Sequence, residues 1–140
     1  RQVMWDGIDG HRCRQLGWLA MSWDEPDIRF THLRPMGSSQ QNIITGRIRH
    51  GFGQYFMGTG LVYMLVSGFY RMTRPPVFFG GLAMLWGYLK SWLTRVPRFE
   101  DAELSAFIRK YQWACLLKGK VKATAELNDK QSDVWFENHS

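Results

Sequence analysis

A chain of 140 residues, 45% of them hydrophobic, has material for one small domain with a single core. Its two cysteines, Cys13 and Cys115, lie far apart with no CxxC or Cys/His spacing, which argues against a disulfide framework or a zinc site and for a reducing compartment. The net charge of +6 and pI of about 9.6 favour an anionic partner, whether phosphate, anionic lipid or nucleic acid. Nucleic acid is the weakest of the three, because the cations are scattered between apolar runs and carry no recognised RNA- or DNA-binding signature. The aromatic share of 15% is heavy, and Trp and Tyr join an apolar body to a polar tip, a chemistry suited to interfaces.

In chain order, the stretch from Ile8 to Leu16 reads as a short helix with Asp6 and Asp9 near its positive end and Gly17 as its stop. Trp18 to Trp23 reads as extended, Asp24-Glu25-Pro26-Asp27 as a turn, and Ile28 to His32 as a second strand that leaves through Arg34-Pro35-Met36-Gly37. Residues 1–40 are therefore expected to be α/β. The chain opens at Arg1 with too little before Asp6 for a complete fold, so the expectation is the back part of a larger protein.

Residues 41–98 change in texture. Arg47 to Tyr55 mixes cations, aromatics and glycine on an expected helix, and Gly51 to Tyr70 carries no Asp, Glu, Lys or Arg. That run is long enough to span a bilayer but too rich in glycine and polar residues to be convincing. A second apolar run, Val77 to Leu89, is shorter and is followed by Lys90, Arg95 and Arg98. Apolar helices flanked by cations and rich in Trp and Tyr suit the headgroup region of a membrane. The open alternatives are a buried helical hairpin and a true span. Residues 99–117 read as a helix opened by Pro97 and Glu100-Asp101, and the polar, aperiodic residues 118–140 as a disordered tail.

An acid opening a buried helix can be held ionised by the helix N-terminus and take a proton from a hydroxyl. The residues that fit this chemistry also resemble a family. In Trp5-Asp6-Gly7-Ile8-Asp9, Arg12 lies six and Gly17 eleven residues past Asp6, and Phe30-Thr31-His32-Leu33-Arg34-Pro35-Met36-Gly37 follows. This series is similar to bacterial family 2 glycosyltransferases of the type that builds extracellular or surface polysaccharide, with Trp5 where the family has Glu. The likeness continues through Gly51…Tyr55-Phe56-Met57-Gly58, Gly80-Gly81-Leu82-Ala83-Met84-Leu85-Trp86-Gly87-Tyr88, Pro97-Arg98 and Arg109-Lys110-Tyr111-Gln112.

The resemblance implies that residues 1–40 form the back of a GT-A-like nucleotide-sugar domain, followed by a mostly helical, membrane-interfacial region. It implies Asp6 as the base that activates an acceptor hydroxyl, Asp9 as its support or an acceptor contact, and His32 as a residue near a divalent metal, Mg or Mn. The main metal ligands would lie upstream. It implies Arg34 on the leaving diphosphate, and Arg47, Arg49 and Gln54 as diphosphate- or acceptor-contacting residues. The implied partners are a nucleotide-sugar donor, a lipid-linked or glycan acceptor and the membrane surface, with no nucleic acid, at the cytoplasmic face of the bacterial inner membrane.

Each assignment has a plainer rival. Asp6 can be an N-cap, and a lone histidine such as His32 is more often a hydrogen-bonded core residue than a ligand. His11 reads as solvent-facing. Glu100-Asp101-Ala102-Glu103 imitates a catalytic acidic pair but reads as an ordinary helix start. A non-catalytic membrane-associated module is the competing function.

Overall fold

The structure, a computed structural model, describes residues 4–20, 26–28 and 42–139. Its regular elements are α1 (Trp5–Gln15), α2 (Ile43–Phe56), α3 (Leu61–Met72), α4 (Phe79–Leu93), α5 (Ala102–Lys118) and α6 (Lys120–His139), with a short 3-10 turn at Pro26–Ile28. Two compact units form: Arg1–Trp23 with Asp101–Ser140, and Asp24–Glu100.

The α/β expectation for residues 1–40 is thereby corrected, since no strand occurs among the described residues. Trp18 to Ala20 is irregular, and Ile28, expected to open a strand, closes the 3-10 turn that Pro26 begins. Alternation over five or six residues makes a strand only where another backbone completes its ladder, and none of the described segments offers one. The remaining residues of the expected second strand and loop lie outside the described residues. The disordered tail is also corrected. Residues 120–139 form α6, because Lys, Ala, Glu, Leu and Gln all favour helix and Ala123 and Gln131 bury a side of it.

In the first unit α1 carries Asp6 in its first turn and Arg12 and Arg14 in its last, the order its dipole favours. It ends where Gly17 takes a φ of +85°, while the N–H of Gly17 bonds to the Arg14 carbonyl and that of Trp18 to the Cys13 carbonyl, closing the last carbonyls. α5 starts at Asp101, whose carboxylate accepts the Leu104 N–H at 2.8 Å and also takes the Arg12 guanidinium. Leu104, Ile108, Gln112 and Cys115 keep helical spacing and are buried. The Tyr111 and Thr124 hydroxyls pair at 2.6 Å between α5 and α6, Lys118 reaches Glu126 at 2.5 Å, and the Gln131 amide donates to the Arg14 carbonyl. The membership of α6 in this unit therefore rests on polar anchors as much as on apolar burial.

In the second unit Asn42 caps α2 by accepting the Thr45 N–H at 2.7 Å. Contacts between α2 and α4 climb in the same order along both helices, from Arg47 beside Gly80, through Gly51 beside Met84, to Tyr55 edge-on to Tyr88 at 5.7 Å. α2 and α4 therefore run parallel. α3 returns antiparallel, with Gly68 against Leu85 and Met72 against Gly81. Gly51 and Gly87 let the α2 and α4 backbones touch: a Cβ on Gly51 would lie 1.9 Å from the Met84 carbonyl oxygen, and one on Gly87 would lie 2.1 Å from that of Ile48. Tyr55, Met64, Met84, Leu85 and Tyr88 make the core, and the Tyr88 hydroxyl donates to the buried Thr59 carbonyl at 2.7 Å. The Arg98 guanidinium lies 4.5 Å from the centre of the Tyr55 ring, and the Phe99 N–H bonds to the Phe56 carbonyl.

No helix among the described residues is long and apolar enough to cross a membrane.

Candidate functional site

The residues assigned from sequence fall into separate parts of the structure. Asp6 and Asp9 sit on α1, three residues apart and both exposed, in the first unit. Arg12, the cation at the family spacing, is engaged by Asp101 and by Gln15, whose side-chain oxygen it meets at 3.2 Å. The Leu104 N–H, foremost, and Arg12 hold the Asp101 carboxyl below the usual carboxylate range. Glu100-Asp101-Ala102-Glu103 is thus a helix start that also pins α1. His32 and Arg34 lie outside the described residues.

On α2, Arg49 is exposed, whereas Gln54 is spent on structure. The Thr59 hydroxyl donates to the Gln54 side-chain oxygen at 2.8 Å, the Thr59 N–H bonds to the Gln54 carbonyl, and the Gln54 nitrogen approaches His50 Nε2 at 3.5 Å. The amide braces the turn between α2 and α3. Its spacing in sequence gave no hint of that task.

Arg47 is the unusual member of the set. Its side chain is folded into the unit with 8% exposure, and its Nε is buried without a hydrogen-bond partner. A Cβ on Gly80, in the first turn of α4, would lie 3.8 Å from that Nε. Burial, and after it the Arg71 guanidinium, pull Arg47 below its ordinary value. Arg71 ends α3, a position no sequence reading singled out. The available signal is that no Asp or Glu occurs between Ile28 and Phe99, so Arg47 and Arg71 have no carboxylate near them in the sequence.

The second unit is also apolar on its outside. Leu61, Val62, Leu65, Val66, Phe69 and Tyr70 of α3 are exposed at helical spacing, with Phe69 at 62%. Phe79, Leu82, Trp86 and Leu93 do the same on α4, with Trp86 at 56%, and Phe78 just ahead of that helix is 70% exposed. Both helices therefore bury their glycine and methionine side and present their large apolar residues outward. Arg71, Arg74, Lys90 and Arg95 stand at the ends of these two helices. The missed feature of the first unit is His11, expected on the solvent side but half-buried edge-on to Tyr111 at 5.9 Å.

Among the described residues no three of His, Cys, Asp or Glu converge on a point where a metal ion would be held. The divalent metal implied by the resemblance gains no ligand set from them, and no chemical step is assigned to it. Compared with protein-family models, curated proteins and solved structures, the chain matches none.

Proposed function

We propose that this chain works at a membrane surface as part of a glycosyltransferase that moves a sugar from a nucleotide-sugar donor to a lipid-linked or growing glycan acceptor. The observation that carries the membrane half of this reading is the outward apolar face of α3 and α4, bordered by Arg71, Arg74, Lys90 and Arg95. Large exposed apolar patches mark interaction surfaces, and the cations at their border add roughly 1 kcal/mol each against an anionic lipid surface. The sugar-transfer half is supported by the Asp6, Arg12 and Gly17 spacing and by the exposure of Asp6 in the first turn of α1.

In this reading the acceptor hydroxyl oxygen bonds to the anomeric carbon as the bond from that carbon to the diphosphate breaks. The hydroxyl proton passes to the Asp6 carboxylate, and the nucleoside diphosphate leaves with its added negative charge, where Arg34 is the assigned cation. The cytoplasmic face of the inner membrane is the place where such a donor and a lipid-linked acceptor meet.

The test is Asp6→Asn in the full-length protein. Sugar transfer is expected to fall by roughly 100-fold or more, with vesicle binding unchanged. Unchanged transfer removes Asp6 as the base. Leu82→Glu with Trp86→Glu tests the other half, by abolishing flotation with vesicles while the far-UV circular dichroism is retained. A non-catalytic membrane-anchoring module is the second reading, favoured by Arg12, which is engaged by the capping carboxylate of α5. That reading predicts no effect of Asp6→Asn on any transfer activity.

A further inference from the structure

We propose that Arg47 and Arg71 form a binding site for a phosphoryl group at the start of α4. A buried guanidinium with an unpartnered nitrogen is costly, because it has given up water without gaining a counter-charge. A bound anion is one of the ways in which folded proteins complete such a group. Arg47 is buried in this way, with its Nε 3.8 Å from a Cβ on Gly80, and Arg71 stands one residue before Met72, whose N lies 3.0 Å from a Cβ on Gly81 in the same turn of α4.

Positive groups outnumber negative ones around the pair. The first turns of the parallel helices α2 and α4 lie toward the same end of the unit, so their dipoles add positive potential there. The last carbonyls of α3 reach the same end, but those of Tyr70, Arg71 and Met72 already accept the N–H groups of Thr73, Arg74 and Phe78. The chain from Ile28 to Phe99 supplies no carboxylate to neutralise the pair. At α4 itself the N–H groups of Phe79 and Gly80 are used by the Val77 and Pro76 carbonyls, so the ligand is held by the guanidiniums.

Two guanidiniums fit a phosphoryl group, whose several oxygens accept from both at once. Phe78, Phe79 and Leu82 are exposed around the same turn, so a phosphate carrying an apolar chain meets both chemistries there. A lipid headgroup and a free phosphate share the recognised group. The site refines the membrane reading above and rests on it only for the lipid as source.

Thermal unfolding of the full chain with inorganic pyrophosphate tests the site without any membrane. The wild type is expected to gain about 5 °C or more at saturation. Arg47→Met is expected to melt higher than the wild type without pyrophosphate, because the unpaired charge is gone, and to lose the pyrophosphate response. Arg71→Gln, at a partly exposed position, keeps the fold and weakens pyrophosphate at least tenfold. No pyrophosphate shift in the wild type, or a full shift retained in both variants, overturns the site. Flotation with phosphatidylcholine vesicles, with and without phosphatidic acid, then separates the sources. Enrichment on phosphatidic acid that both variants lose assigns the lipid phosphate. Equal binding to both vesicle types, with the pyrophosphate shift intact, overturns the lipid source and leaves a soluble phosphate as the ligand.

Discussion

Gly87→Val is expected to disassemble the Asp24–Glu100 unit. A Cβ at this position would lie 2.1 Å from the Ile48 carbonyl oxygen and 3.0 Å from its Cα, and both atoms belong to backbone that cannot rotate away. Overpacking against movable side chains costs about 1–3 kcal/mol, and here a helix must shift instead. A unit of this size is stabilised by only roughly 4–11 kcal/mol, so a cost at or above the top of the overpacking range removes most of its margin. Urea unfolding followed by tryptophan fluorescence and near-UV circular dichroism reads the effect. Gly51→Val should behave alike, because its Cβ would lie 1.9 Å from the Met84 carbonyl oxygen on the opposite helix. A wild-type midpoint in either variant would mean that α2 and α4 do not approach as closely as described.

Acid is expected to begin destabilising the unit built from α1, α5 and α6 near pH 6.5, before ordinary carboxylates titrate. Burial, with Arg14 and Lys120 nearby, lowers His11 from 6.5 to about 4. A base whose folded value is depressed stays neutral in the folded unit while the unfolded chain takes up a proton. Stability is therefore complete above the unfolded value and falls as pH drops from 6.5 toward 4. The full loss is about 3 kcal/mol at the lower end of that window. Asp101 and Glu126 act in the same direction at lower pH, since partners hold both below the ordinary carboxylate value and their stabilisation is lost as pH falls through it. Thermal midpoints measured from pH 7 to 4.5 give the slope, and His11→Leu should flatten it. A slope unchanged by His11→Leu would place the proton elsewhere.

What could be read from the residues follows from how local each signal is. Gly17 stops α1 and Asp101 starts α5 through contacts within three or four residues, and both were visible in the sequence. α6 was not, because Ala123 and Gln131 are its described buried positions and two positions make no periodic stripe. Strands over residues 18–32 were inferred from alternation alone, which carries no information about a pairing partner. The glycines of residues 51–70 were read as marks against a membrane span, and Gly81 and Gly87 only as part of a family likeness. In the structure Gly51, Gly68, Gly81 and Gly87 are contact points between helices, a role that depends on which backbone arrives opposite. Arg47 was assigned through the family resemblance, but its burial arises from the parallel course of α2 and α4, which no local pattern encodes.

The first unit is assembled from two stretches of chain with residues 24–100 between them, and this sets an order of events during synthesis. The first stretch of this unit, ending at Trp23, leaves the ribosome 77 residues before its second stretch begins at Asp101, counting from 24 to 100. At roughly 5–20 residues per second, that is a wait of about 4–15 s before His11 can meet Tyr111 of α5. The intervening unit is contiguous and its helices are sequence neighbours, so it closes first. Translation thus delivers the apolar α3–α4 surface in finished form while α1, eleven residues long, still lacks its contacts with α5. Any chaperone or membrane acting on the nascent chain meets that surface before the Asp6 helix packs on α5. Limited proteolysis of stalled nascent chains would show it, as protection of residues 42–100 ahead of residues 4–20.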